Sequence, residues 1–301
     1  MPPRAAGSLS RTRAMLPPVF NVLFDGFAYG MLLFVLSVGL SVTLGMMNFI
    51  NLAHCAFAML GGFVAVTLVN TMGWPFLAAL PVAFLAAAAV AVVLERTLYR
   101  RLYKAAELDQ VLFTIGIVFM SVATAAYVFG TLQQPIKTPA FLRGSVHLLG
   151  IDLGVYRLFL IGSGLLVAIV LVAMLEYTRF GARVRAAVDN QRMAAGLGIN
   201  VEAAFAITFA LGSGLAGLGG ALAIEIVGLD YWFAFGYLVY VLIVVSVGGL
   251  GSIGGSFAAA VLLGMSDMFG KYYFPEVGAF FIYLVMLVIL MWRPAGLFGR
   301  R

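Results

Sequence analysis

Asn48, Asn51 and His54 stand three residues apart in "MMNFINLAHCAFAMLGG", residues 46–62, a stretch that is otherwise apolar. On a helix, residues three apart are neighbours, so all three would share one stripe. Polar groups are costly in hydrocarbon and turn toward other helices or a wet cavity. Two amides and an imidazole therefore make either a helix–helix hydrogen-bond patch or part of the lining of a solute path. A metal site is not expected, because no second histidine or acidic cluster lies near in sequence. A third element of the reading is a break near the midplane. A broken helix frees backbone groups, and amide and imidazole side chains supply donors and acceptors for them. Asn51 is the candidate for holding that break.

"GGLGSIGG" at 248–255 interrupts the apolar stretch 237–270, which is too long for one span. It contains G-x-G-x-x-G, but a dinucleotide needs that motif between a strand and a helix, and here it lies between membrane segments. Helix breaking is the reading adopted, with Gly248, Gly249, Gly251 and Ser252 as candidate path residues and His54 expected to face them. Gly26 with Gly30, Gly251 with Gly255, and the cluster "GSGLAGLGG" at 212–220 have the small-residue spacing that lets membrane helices approach closely.

The most informative polar piece is "RFGARVRAAVDNQRMAAGLGIN", residues 179–200. It reads as a short helix from about Gly181 to Gly196 between two spans, ended by Gly196 and Gly198. Alanines on such a helix would allow close docking into a groove of another protein. Elsewhere Asp25, Glu225, Asp230 and Asp267 are scattered and expected near the membrane interfaces. No zinc motif, phosphate-binding loop or compact nucleophile–base set is visible.

These residues need a membrane scaffold. The chain is 63% hydrophobic and 10% charged, against about 25% charged in a soluble domain. Its apolar runs are continuous rather than alternating, which favours helices over a barrel. The fold expected is an all-α polytopic transmembrane helical bundle with about eight to ten membrane segments, some broken or re-entrant. Apolar stretches cover 19–44, 52–70, 75–94, 110–130, 156–175, 203–226, 237–270 and 278–292. The net charge of +6 follows the bias of basic residues toward the cytoplasm rather than nucleic acid. That bias places a tail at 1–18, the connection 95–109 with Arg96, Arg100, Arg101 and Lys104, the loop 176–202 and the C-terminus inside. Arg4, Arg11 and Arg13 read as flanking a retained anchor, not a cleaved signal. Three single crossings from an inside N-terminus would put 95–109 outside. Either 37–51 dips in and returns, the N-terminus is outside, or one segment does not span. Cys55, the single cysteine, makes no intramolecular disulfide.

Four blocks resemble the permeases of branched-chain amino acid ABC transporters, of the first of their two permease types. "GLSVTLGMMNFINLAH" at 39–54 is similar to their N-terminal stretch, and "RAAVDNQRMAAGLGIN" at 185–200 to their cytoplasmic coupling loop. "VGGLGSIGGSFAAAVLLG" at 247–264 resembles their late glycine motif, and "RPAGLFG" at 293–299 their end. The resemblance implies one permease domain over 19–301, with a coupling loop about 179–202. It implies an inner-membrane importer with a second, sister permease subunit in a heterodimer, two ATPase subunits that carry ATP-Mg, and a periplasmic solute-binding protein, with no cofactor in this chain. The implied ATPase-coupling residues are Arg185, Ala186, Ala187, Asp189, Arg192, Ala194, Ala195, Gly198 and Asn200. Two departures leave the solute open among amino acids, short amides and acids. Cys55 replaces a usual glycine, and no lysine occurs between Tyr231 and Gly255, where the family commonly has one. An ion-coupled secondary transporter or an intramembrane enzyme is the alternative. The first would need intramembrane carboxylates, the second a buried acid, base or metal set.

Overall fold

A computed structural model describes residues 18–47, 49–103, 105–148 and 151–299. The chain is helical, with one small β-hairpin. The helices are α1 (Pro18–Met47), α2 (His54–Val66), α3 (Phe76–Leu94), the single turn α4 (Arg100–Leu102), α5 (Glu107–Phe129), α6 (Val155–Tyr177), α7 (Arg179–Asp189), α8 (Gln191–Gly196), α9 (Val201–Val227), α10 (Phe233–Gly248), α11 (Ile253–Tyr273) and α12 (Phe281–Trp292). π-helical turns at Thr67–Thr71 and Glu95–Tyr99 prolong α2 and α3. Seven of these helices are long and apolar enough to cross a membrane, and two shorter apolar ones, Phe233–Gly248 and Gly278–Trp292, accompany them. The expected eight to ten segments agree with this multi-pass bundle.

Strands β1 (Ser145–Leu148) and β2 (Ile151–Gly154) pair antiparallel within what the sequence presents as a plain connection. They mark one end of the bundle. Asp25 near the start of α1 pairs with Arg157 at 2.7 Å, just after β2. Asn70, at the far end of α2, donates to the Pro135 carbonyl at 2.7 Å and accepts from Lys137 N–H at 3.1 Å. The other, basic end carries 95–103, 105–110, α7, α8 and 293–299; Lys104 lies outside the described residues. There Arg100 pairs with Glu202, and the Phe49 ring lies 5.6 Å from Tyr103.

This arrangement bears on the order in which the first helices run. α1 is continuous from Pro18 to Met47, so 37–51 does not dip and return. It begins at the hairpin end, and α1, α2 and α3 then cross once each to bring 95–109 to the basic end. The expected inside tail therefore precedes a helix that starts at the end opposite the arginines; residues 1–17 lie outside the described residues.

Lipid tails offer no hydrophobic drive between helices, so close packing holds the bundle. α1, α2 and α9 are its buried centre. A Cβ at Gly26 would sit 2.7 Å from the Met265 Cα, and one at Gly30 2.8 Å from the Ala260 carbonyl oxygen, so the spaced pair seats α1 against α11 as expected. The 212–220 cluster does the same for α9. A Cβ on Gly212 would meet the Gly39 oxygen at 2.7 Å, and one on Gly217 the Ala83 oxygen at 2.9 Å.

Candidate functional site

The first break lies between Met47 and His54. Asn48 falls outside the described residues. Asn51 is buried, and its Oδ1 accepts from the Ala53 N–H at 3.1 Å and from the Tyr99 hydroxyl at 3.4 Å. A short amide side chain that binds the backbone two residues on offers an alternative to the helical hydrogen bond, which suits the non-helical stretch between α1 and α2. Two partners were not evident in the sequence. Gln110 accepts from the Ile50 N–H at 3.2 Å and donates to the Leu102 and Ala105 carbonyls at 3.3 and 3.2 Å. Tyr99 reaches Asn51 from the turn after α3. Neither shows a local motif, since Gln110 lies 60 positions and Tyr99 48 positions from its partner in the break, each among other polar residues at a helix end.

His54 opens α2. Its Nε2 donates to the Leu36 carbonyl at 2.9 Å, which assigns the proton to that nitrogen. Gly39 gives the ring its room. The imidazole thus faces α1 and not 248–255, contrary to the sequence expectation: the free carbonyl-directed nitrogen finds its acceptor one layer away, on the helix it packs against. Asn51 Nδ2 and His54 Nδ1 are buried without a hydrogen-bond partner among the described residues.

The second break runs from Gly249 to Ser252. Gly249 and Gly251 have φ of 94° and 79°, a region that L side chains rarely adopt. Ser252 restarts the helix by accepting from the Gly255 N–H at 3.0 Å. The C-terminal strip closes over it, with Leu297 N–H donating to the Val247 carbonyl at 2.7 Å and Phe298 N–H to the Gly248 carbonyl at 3.1 Å. Gly251 lies against Gly45, two residues from the end of α1. Both breaks are therefore at the basic end. The expected midplane meeting does not occur, because α1 and α10 each run to the end of the bundle before breaking.

The 179–200 segment is two helices rather than one. Asn190 leaves helical geometry and caps α8, accepting from the Met193 N–H at 3.0 Å. Asn200 caps α9 in the same way, accepting from Ala203 N–H at 2.9 Å, and Gly198 turns between them with φ of 82°. Ala187 and Ala194 point inward, packed with Phe205 against Met47, Tyr103, Ile199 and Val201. Arg185 donates to the Leu175 carbonyl. Asp189, Arg192, Ala195, Gly198 and Asn200 are exposed, and Ala186 is half-buried. The apolar side chains offered furthest outward are Met193, 64% exposed, and Leu197, 78% exposed, with Val188 on α7 less so, and the alanine-based reading missed them. Burial, with the Glu95 carboxylate next in weight, holds the Tyr103 phenol above its usual range. It therefore stays a donor, to Glu95 Oε1 at 2.8 Å.

One of the scattered acids is enclosed by the bundle. Asp267 is fully buried in α11, with Oδ2 2.6 Å from the Lys271 Nζ one turn on. Its Oδ1 has no partner among the described residues, and the ammonium lies 5.6 Å from the Tyr29 ring centre.

The family model described as "Branched-chain amino acid transport system / permease component" matches residues 22–290. The chain is 27% identical to the high-affinity branched-chain amino acid transport system permease protein BraD of Pseudomonas aeruginosa, covering 95% of this chain and 98% of that one. It is 24% identical to LivH of Escherichia coli K12, a permease protein of the same description, over 92% of this chain and 94% of that one. A probable branched-chain amino acid transport permease protein of Methanocaldococcus jannaschii is 28% identical, with 92% of each chain covered. No solved structure matches significantly. The match over nearly the whole bundle, both breaks and the α7–α8 pair included, places the chain in the branched-chain amino acid transport system permease family.

Proposed function

We propose that this chain is one permease subunit of an ATP-binding cassette importer in the bacterial inner membrane, carrying a small amino acid delivered by a periplasmic binding protein. The basic end faces the cytoplasm, in keeping with the excess of arginine there. A second permease completes the path, and two ATPase subunits bearing ATP-Mg dock on α7–α8. The names of the relatives support the amino acid class. One observation carries the mechanism: the inward face of α7–α8 rests on Met47 and Tyr103, at the end of α1 where the first break begins.

On this reading, movement of the ATPases is received by Met193 and Leu197 and passed through the Ala187–Ala194–Phe205 packing to the break. Asn51, Tyr99 and Gln110 hold that break, and the Gly45–Gly251 contact ties the second one to it. Asn48, Asn51 and His54 then act on the path by fixing where α2 starts, not by choosing the solute. A buried carboxylate is what an ion-coupled transporter would need, but Asp267 is held in an ion pair by Lys271, which favours a structural role.

The test is a cysteine at Leu197 in a Cys55→Ser background, with the transporter assembled from its co-encoded subunits. A short thiol cross-linker should join it to the ATPase subunit. Cross-linking only to the solute-binding protein, from the other side, would overturn both the docking face and the orientation.

A further inference from the structure

α3 and α9 leave a groove of about 250 Å³ along the outside of the bundle. Ala88, Val92 and Arg96 line one wall, and Ala206, Ala210 and Leu211 the other. Residues 84, 88, 92 and 96 are four apart, so they form one stripe, roughly 18 Å long at 1.5 Å per residue. The alanines make the slot and its single cation sits at the basic end. An extended hydrocarbon chain laid lengthwise on the alanines would fill this slot in part and leave its outer side in the bilayer.

Arg96 is the charged residue that lines the groove; Glu95 precedes it in the chain, and Glu202 precedes the lining Ala203. Arg100 is paired with Glu202, and Glu95 is buried and accepts from Tyr103. Arg96 is exposed and has no carboxylate partner among the described residues. With Arg100 and Glu202 paired and Glu95 turned to Tyr103, Arg96 leaves the basic end of the groove positive. A guanidinium forks onto phosphate oxygens, and basic sites between membrane helices on the inner side take anionic headgroups. We infer that the α3–α9 groove binds one anionic glycerophospholipid from the leaflet at the basic end. Its acyl chain lies along the alanine-lined slot and its headgroup phosphate on Arg96. Transport does not require this site to touch the solute, so the inference stands apart from the proposed function.

The test uses the assembled transporter in mild detergent and native mass spectrometry. Phosphatidylglycerol and phosphatidylethanolamine of matched chain length are added in equal amounts. One phosphatidylglycerol per copy should be retained in preference to phosphatidylethanolamine. Arg96→Gln should lower that retention about fivefold, the worth of one basic residue near an anionic headgroup. Arg96→Lys should keep most of it, and Ala210→Leu, which fills the slot, should weaken both lipids. Equal retention of the two lipids by the unaltered chain would overturn the inference. So would unchanged retention in Arg96→Gln and Ala210→Leu, or a cysteine at Ala88 cross-linking efficiently to the second permease subunit. Should Arg96→Gln fail to assemble, Ala210→Leu and Arg96→Lys decide.

Discussion

Gly45 and Gly251 meet backbone to backbone: a Cβ on Gly251 would lie 2.6 Å from the Gly45 Cα. The two breaks in the bundle are thereby one junction, formed where α1 ends and α11 begins. Gly251 also holds a positive φ of 79°, so it has two reasons to be glycine. Gly251→Ala should lose on the order of 1–3 kcal/mol through overpacking and a strained backbone. Gly254, three residues on, has open space around it inside the helix. Gly254→Ala should be neutral or stabilising by up to about 1 kcal/mol. Thermal unfolding of the purified complexes, with uptake at matched membrane levels, measures both. Equal behaviour of the two variants would show that the junction has no special packing.

The α7–α8 pair separates two effects that the sequence reading had merged. Leu197→Asp alters only an outward side chain, so it should leave subunit stability unchanged and cut ATPase co-purification at least tenfold. Ala187→Trp enlarges a residue that is fully buried against Ala194 and Phe205, so it should destabilise the subunit itself. Quantitative pull-down combined with thermal melts checks this. Normal pull-down with Leu197→Asp would remove α8 from the interface.

How much of this could be read from the chain depends on the range of the signal. The spans, the small-residue seats of Gly26, Gly30 and Gly217, and the helix stop at 249–252 follow from local composition. The stop near Asn51 was also legible, because amides in an apolar run compete for backbone groups. The depth of the breaks was not legible. Depth follows from where α1 and α10 begin, and the start of α1 is tied by a distant pair, Asp25 with Arg157. His54 faced another helix than expected because its acceptor, the Leu36 carbonyl, has no mark in the sequence. Asp267 looked interfacial because its partner, Lys271, one turn later, gives no sign that the carboxylate is buried.

That ion pair makes a clear case for linked variants. Lys271 is 47% exposed on its side chain and Asp267 is not exposed at all. Lys271→Met strands a buried carboxylate, at a cost on the order of 1–3 kcal/mol once the lysine's exposure is discounted. Asp267→Asn in the same chain removes the stranded charge and should restore most of the loss. A double-mutant cycle on melting temperature reads the coupling. Additive losses would mean that the two side chains do not act as a pair.

The proposed orientation follows from the basic end. With Cys55 replaced by serine, a cysteine at Ala106 should resist an impermeant thiol reagent in intact cells and react in inside-out vesicles. A cysteine at Ser145 on the hairpin should do the reverse. Outer-side labelling of Ala106 would invert the assignment of the two ends.

Uptake by the complete transporter in proteoliposomes bears most directly on the role proposed for this chain. The co-encoded ATPases, second permease and binding protein are reconstituted with it, and labelled branched-chain amino acid is followed with ATP on the basic side. Accumulation should require both ATP and the loaded binding protein, and should persist when ionophores collapse proton and sodium gradients. Accumulation by this chain alone, driven by an ion gradient and indifferent to ATP, would contradict the importer reading.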